Sequence, residues 1–144
     1  MTGVQTCALP ISVICIEPDG YQTTLADPKY KDLGNYIREV ERLRHELAQI
    51  IFLCNYFDNT EASVTCSTAA PGAIHFTVHG HRQTNQRAIV VVNSSDHPHT
   101  YRWRFSHKDV SQARLYAPFE EAKVITPATT VEIKPVGLHI LVEA

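Results

Sequence analysis

Two carboxylates near the start of the chain are its first candidates for chemistry. Glu17 and Asp19 follow an apolar run at residues 13–16. Carboxylate pairs cleave glycosidic bonds when the two groups face each other across the substrate. Two carboxylates in one short loop rarely face each other. Two alternatives therefore remain: Glu17 and Asp19 flank a turn, or they contact a substrate.

Histidines are the next group whose number invites a functional interpretation. The chain has 8 of them, and six fall in two groups: His75, His79 and His81, then His97, His99 and His107. Zinc sites need a complete set of His, Cys, Asp or Glu ligands, and no such residue completes the first group. We interpret these histidines as surface residues on strands, and we assign the chain no metal and no cofactor.

The cysteines give no sign of a disulfide framework or a structural zinc site. Apart from Cys7, which lies in the first eleven residues, the chain has Cys15, Cys54 and Cys66. They contain no CxxC pair, and we interpret these three as small apolar residues of the core. No Ser, Cys or His lies in a nucleophile-elbow sequence, and no glycine-rich phosphate loop is present. We therefore assign no catalytic residue and expect the chain alone to be inactive.

Charge and hydropathy exclude two classes of partner. The 13 basic and 15 acidic residues give a net charge of −2 and are scattered along the chain, so no basic face for nucleic acid is visible. The longest apolar runs are far shorter than the roughly 20 residues that cross a bilayer. We expect neither a nucleic-acid partner nor a membrane-spanning segment.

A long helix precedes the rest of the chain. Asp27 and Pro28 are typical of a helix start, because Asp caps free backbone N–H groups and Pro is tolerated in the first helical turn. Apolar residues then recur at spacings of three and four: Leu33, Tyr36, Ile37, Val40, Leu43, Leu47, Ile50 and Ile51. This stripe predicts one amphipathic helix from Pro28 to about Leu53. The run 13–16 before it is typical of a strand in a parallel sheet.

After residue 58 the apolar pattern changes to an alternation with period two. Candidate strands are 62–66, 73–79, 87–93, 100–105, 113–116, 123–125, 130–134 and 137–142. Turn residues at 93–98 predict a hairpin between the third and fourth of these, and residues 134–137 link the last two. The fold class is therefore mainly β: an antiparallel β-sandwich of about eight short strands, preceded by one long amphipathic helix.

Aromatic residues on the fourth candidate strand raise the question of sugar binding. Tyr101, Trp103 and Phe105 alternate with Arg102 and Arg104, which predicts one apolar and one wet face. Exposed aromatic rings can stack on sugar rings, whereas rings on the apolar face of a strand belong to the core. We favour the core for Tyr101 and Trp103.

The first eleven residues require separate treatment. The string MTGVQTCALPI resembles the translation of a sequencing adapter. We expect residues 1–11 to be an artefact and disordered, and the natural reading frame to continue upstream.

Three segments carry a resemblance to a known group of enzymes. They are the helix YIREVERLRHELAQIIFL, the strand and turn RAIVVVNSSDHP, and the closing segment VEIKPVGLHILVE. Their order resembles the C-terminal portion of (β/α)-barrel glycoside hydrolases of the α-amylase and α-galactosidase-like group, in which an all-β domain follows the last barrel helix. The resemblance covers most of residues 27–144. The group's catalytic carboxylates lie on earlier barrel strands, so none is carried over to this chain.

This resemblance implies a domain organisation and a function. Residues 12–58 would be the last strand, loop and helix of a truncated barrel, and residues 59–144 the C-terminal β-sandwich domain. The domain would be non-catalytic and would pack on and stabilise the missing N-terminal catalytic barrel, with carbohydrate as a further candidate partner. The alternative is an independent β-sandwich module that binds carbohydrate or protein. Substrate, oligomeric state and localisation do not follow from the sequence.

Overall fold

The structure is a computed structural model that describes residues 15–16, 22–23, 28–58, 60–67 and 72–144. The chain forms two compact units, Met1–Arg38 and Glu39–Ala144. Residues 1–11, which we interpret as an artefact, lie outside the described residues. Within the described part of the chain, no helix is long and apolar enough to span a bilayer.

The first unit contains a minimal strand pair. Strand β1 (Cys15–Ile16) pairs antiparallel with β2 (Gln22–Thr23). The expectation of a parallel-sheet strand at 13–16 is therefore wrong for these residues. Only residues 17–21 separate the two strands, and parallel neighbours need a crossover of a dozen residues or more, so a short link permits only the antiparallel arrangement.

The predicted helix is present but interrupted. A 3-10 turn (Pro28–Tyr30) leads into α1 (Lys31–Glu46), and after Leu47 a short α2 (Ala48–Ile51) follows. Ion pairs one turn apart stabilise the polar face of α1, with Arg42 bonded to Glu39 at 3.0 Å and to Glu46 at 3.2 Å.

The second unit contains nine strands after the helices. They are β3 (Cys54–Asp58), β4 (Ala62–Cys66), β5 (Ile74–His81), β6 (Arg87–Asn93), β7 (His99–Phe105), β8 (Ala113–Tyr116), β9 (Lys123–Ile125), β10 (Val131–Ile133) and β11 (Leu138–Glu143). The eight candidate strands of the sequence correspond to β4 through β11. Strand β3 was not predicted, because its Asn and Asp residues are typical of a loop.

These strands form two antiparallel sheets, which confirms the predicted sandwich. The large sheet has six strands in the order β3-β5-β6-β11-β8-β9, and the small sheet has three in the order β10-β7-β4. The central position of β6 agrees with its apolar sequence: Ala88 and Ile89 point to opposite faces, and both are fully buried.

The space between the sheets holds the larger of two cores, which we call the inter-sheet core. Its buried residues are Ala62, Val78, Ile89, Val91, Tyr101, Trp103, Phe105, Ala113, Leu115, Ile125, Val131, Ile133 and Leu141. The aromatic side chains of β7 lie in this core, and Trp103 contacts Phe105 edge to face with ring centroids 5.7 Å apart. Assignment of Tyr101 and Trp103 to the core is therefore confirmed.

The second core lies on the outer face of the large sheet, and we call it the helix-side core. Its buried residues are Leu43, Leu47, Ile50, Ala88, Tyr116, Ile140 and Val142. Outside a barrel, we expect the stripe residues Tyr36, Ile37, Val40, Leu43 and Leu47 to have too few partners. This is wrong for Leu43 and Leu47, whose exposed fractions are 1% and 7%, whereas the other three are half-buried. The outer face of β6 and β11 is itself apolar and supplies the partner surface.

Six of the connections between β3 and β11 cross from one sheet to the other, and two of them meet at Asn93. The segments β6–β7 and β10–β11 each join strands of different sheets, so the hairpin expected at 93–98 is wrong, and residues 134–137 close no hairpin. The second connection is tight: a Cβ on Gly137 would lie 2.6 Å from the carbonyl oxygen of Lys134. Only glycine permits so close an approach of the backbone at this position.

Asn93, which is fully buried, joins the two crossings. Its amide nitrogen donates to the carbonyl oxygens of His97 at 2.7 Å and Lys134 at 2.9 Å. Its amide oxygen accepts from the backbone N–H of Ser95 at 3.0 Å and from the Ser95 hydroxyl at 2.8 Å. Every donor of the amide group is used, as burial of an amide requires.

The helix-side core yields the first prediction. Leu43→Ala should lower the free energy of unfolding by about 2–5 kcal/mol, because it leaves a cavity among fully buried side chains. The same change at Leu33, which is 43% exposed, should cost less than about 1 kcal/mol. Urea denaturation of both variants measures the difference. Equal effects at the two positions would contradict the packing of the helix against the sheet.

Candidate functional site

A concave surface with polar lining lies at one end of the small sheet, where β4 ends and β7 begins. The cleft has a volume of about 420 Å³ and is lined by Thr65, Cys66, Ser67, Thr100, Tyr101, Arg102 and Thr130. Strand register positions these residues, since Thr65 lies opposite Arg102 and Cys66 opposite Tyr101. Alternation along the strands then presents Thr65 and Arg102 to solvent and directs Tyr101 into the core.

The chemistry of this cleft is that of hydrogen bonding. Hydroxyl groups of Thr65, Ser67, Thr100 and Thr130 surround it, and Arg102 is the charged residue of its lining. The Nε of Arg102 donates to the Thr130 hydroxyl at 3.5 Å, which directs the guanidinium across the cleft. No carboxylate is among the lining residues, so the cleft lacks the opposed acids that glycosidic cleavage uses. It can bind a hydroxylated or anionic group.

A buried polar pair lies behind the cleft. The Tyr101 hydroxyl and Nδ1 of His139 are 2.9 Å apart, and both residues are almost completely buried. With the phenol as donor, His139 accepts at Nδ1 and carries its own proton on Nε2. This bond joins β7 of the small sheet to β11 of the large sheet, so it holds the two sheets together at the end where the cleft opens.

Burial fixes the protonation states of this pair. It raises the pKa of Tyr101 well above the ordinary value and lowers the pKa of His139 to about 4. Beyond burial, the Glu120 carboxylate raises the pKa of His139, while Lys123 and Lys134 lower it. Both rings are therefore neutral at neutral pH, and the pair is a structural bond with no proton to exchange with solvent.

A second polar cluster lies at the opposite end of β11. The carboxylate of Glu143 is 3% exposed and lies 2.8 Å from Nε2 of His107 and 3.0 Å from Nζ of Lys108. The side-chain nitrogen of Gln86 donates to the Glu143 carbonyl oxygen at 2.6 Å. The buried carboxylate thus forms an ion pair with Lys108 and contacts the His107 ring, and among the described residues these contacts include no second acid.

The residues singled out by sequence are distributed as follows. Glu17 and Asp19, the candidate substrate contacts, lie outside the described residues, so their role stays a prediction. Cys66 is half-buried and packs against the inter-sheet core, whereas Cys54 is half-buried on edge strand β3. The core assignment of Cys54 is therefore wrong.

The histidines are more varied than the surface interpretation allowed. His75 is exposed, but His99 is buried and its Nε2 lies 3.0 Å from the Ser95 hydroxyl. His79 is half-buried between Cys54 and Thr77, a contact that sequence spacing could not show because Cys54 and His79 lie on separate strands. Among the described residues, no three His, Cys, Asp or Glu side chains come together as a metal site requires.

Comparison with known proteins gives no family assignment, because no protein-family model, curated protein or solved structure significantly matches the chain.

The Tyr101–His139 pair predicts a pH dependence of stability. The folded-state pKa of His139 lies below its unfolded value of 6.5. Unfolded chains therefore bind a proton that folded chains do not, and stability falls as pH falls through that interval. The loss should reach about 2 kcal/mol between about pH 7.5 and about pH 5. His139→Gln should make the urea midpoint less dependent on pH in this range.

The control is His97→Gln, at a side chain that is 77% exposed, and its urea midpoint should depend on pH as that of the unmodified chain does. If His139→Gln leaves the pH dependence unchanged, the assignment to His139 is refuted.

Proposed function

We propose that this chain is the C-terminal β-sandwich domain, with its preceding helix, of a (β/α)-barrel glycoside hydrolase. In this proposal the domain is non-catalytic, and it packs on and stabilises the catalytic barrel. The resemblance of the helix, the β6 segment and the closing segment to that group motivates the proposal. The acids of catalysis would belong to the barrel upstream.

One observation carries the proposal: the helix that the resemblance assigns to the barrel binds the sandwich. Leu43, Leu47 and Ile50 of this helix are buried against the outer face of the large sheet. In this proposal the helix belongs to the barrel and also packs on the sandwich. Displacing it from the barrel would therefore also expose the helix-side core, and this couples the two domains. Burial of three such side chains contributes several kcal/mol, at about 1.5–3 kcal/mol each. This gives the sandwich a physical means of stabilising a barrel.

The absence of opposed acids in the polar cleft agrees with a non-catalytic role. Its Arg102 and four hydroxyl groups are suited to holding a polar ligand in place and not to proton transfer. The other buried polar groups of the second unit, including Asn93 and the Tyr101–His139 pair, bridge segments of the fold.

The same burial supports a second candidate function, an independent binding module for carbohydrate. Leu43 and Leu47 are buried within the unit Glu39–Ala144, so this part of the helix already has its partners. The polar cleft would then be the binding site, with Arg102 and the Thr hydroxyls as its hydrogen-bonding groups.

The decisive experiment is recovery of the upstream reading frame by extension of the transcript in the 5′ direction. The proposal expects a continuous frame that encodes a (β/α) barrel with an acidic residue at the ends of at least two strands, and expression of the whole chain should give glycosidase activity. Deleting the sandwich should lower the thermal midpoint of the barrel. An in-frame stop just upstream of Ser12, or an upstream fold without a barrel, would refute it.

A binding measurement separates the second candidate. The chain should be mixed with a panel of insoluble polysaccharides and its depletion from solution measured, with Arg102→Ala as the test variant. Arg104→Ala is the matched control, since its side chain is 73% exposed on the same strand face. Depletion that Arg102→Ala abolishes and Arg104→Ala preserves favours the binding module. No depletion favours the structural domain.

A further inference from the structure

Three polar side chains meet on the outer face of the large sheet, at its β3 edge. The Sγ of Cys54 lies 3.4 Å from Nδ1 of His79, and Nε2 of the same ring lies 2.9 Å from the Thr77 hydroxyl. Pairing of β3 with β5 produces this contact, because it places Tyr56 opposite His79 and Cys54 opposite His81. A thiol, an imidazole and a hydroxyl thus lie in a row, a constellation that neither the cleft nor the helix-side core includes.

The order of these groups is that of a nucleophile, a base and a residue that orients the base. With its proton on Nε2, His79 donates to the Thr77 hydroxyl and presents the Nδ1 lone pair to the Cys54 thiol. Burial lowers the pKa of His79. The ring is therefore neutral at neutral pH and can accept a proton.

Two further contacts define the surroundings of the thiol. The Cys54 Sγ–H also lies within reach of the Ile51 carbonyl oxygen, at 3.0 Å, so the resting thiol has a second acceptor. The Nε of Arg82 donates to the backbone carbonyl of Cys54 at 3.3 Å, which places a positive charge beside the strand.

The thiol is also accessible to a small reagent. Cys54 is a free, half-buried thiol, and β3 is an edge strand with a single neighbour in the sheet. Tyr56, two residues along on the same face, is 60% exposed. Structural cysteines are shielded within a core, whereas reactive ones combine partial exposure with a neighbouring base.

We propose that Cys54 is a site of reversible mixed-disulfide formation with low-molecular-weight disulfides, in which His79 accepts the thiol proton and Thr77 positions His79. The Sγ proton passes to Nδ1 as Sγ attacks one sulfur of the small disulfide. A new Sγ–S bond forms, the original S–S bond breaks, and the leaving thiolate takes the proton from His79. The protein thiol is oxidised and the small disulfide is reduced to one thiol, so atoms and electrons balance.

The rate of this exchange tests the inference in the full chain. Oxidised glutathione is the probe, and the mixed disulfide on the peptide that contains Cys54 is followed by mass spectrometry at neutral pH. His79→Phe should lower the rate constant at least about tenfold, a threshold set below the roughly 100-fold or more that a positioned general base contributes. Thr77→Val should lower it several-fold, and Thr77→Ser should restore it. His75→Phe, an exposed position on the same strand face, should leave it unchanged.

The pH of the assay distinguishes a base from a merely structural residue. In strongly alkaline buffer hydroxide removes the thiol proton, so the His79→Phe variant should approach the rate of the unmodified chain. An equal deficit at both pH values would mean that the substitution only changed access to the sulfur, and it would overturn the proposal. Equal rates at neutral pH would also overturn it. Circular dichroism checks folding, and His79→Gln replaces His79→Phe if the latter unfolds.

Discussion

One buried amide group, that of Asn93, ties together two of the six connections between the sheets. Strands β6 and β10 each end at a connection that leads into the other sheet, and the Asn93 side chain bonds to the backbone of both connections. Backbone bonds support the same arrangement, since the Asn93 N–H donates to the Gly137 carbonyl and the Val136 N–H to the Ser95 carbonyl. Without these bonds the fully buried Asn93 amide would lack partners, at a cost of about 1–3 kcal/mol.

The positions of the strands could be predicted from the sequence, but their partners could not. Alternation placed Tyr101, Trp103 and Phe105 on one face of β7, because burial of one face is a local property of a strand. Turn residues at 93–98 indicate that the chain reverses direction. The same residue types occur in hairpins and in connections between sheets, so they do not distinguish the two. The residue that distinguishes a crossing from a hairpin here is Asn93. It is a polar residue at the end of an apolar strand, and its amide needs several hydrogen-bond partners when it is buried.

The candidate sites were less predictable still, because each depends on register between distant segments. Glu17 and Asp19 were chosen by sequence and stay predictions. Cys54 and His79 belong to two separate strands, and only the pairing of β3 with β5 brings their side chains together. Strand β3 was missed because Asn55 and Asp58 are typical of a loop, so the pairing itself could not be anticipated.

The two outer faces of the sandwich serve different purposes. Part of the outer face of the large sheet is covered by the helices, whose Leu43, Leu47 and Ile50 fill the helix-side core. The small sheet presents Arg102 and Arg104 to solvent, and this polar face carries the cleft. One face is thus suited to fixing the sandwich to a neighbouring helix, and the other is available for polar ligands.

Amide hydrogen exchange measured residue by residue tests the central role of the two crossings most directly. If Asn93 fixes them, the amides of Asn93 and Val136 should exchange only through global unfolding, with the same protection as the central amides of β6 and β11. Exchange of these two amides at the rate of an exposed turn, while β6 and β11 remain protected, would contradict the account.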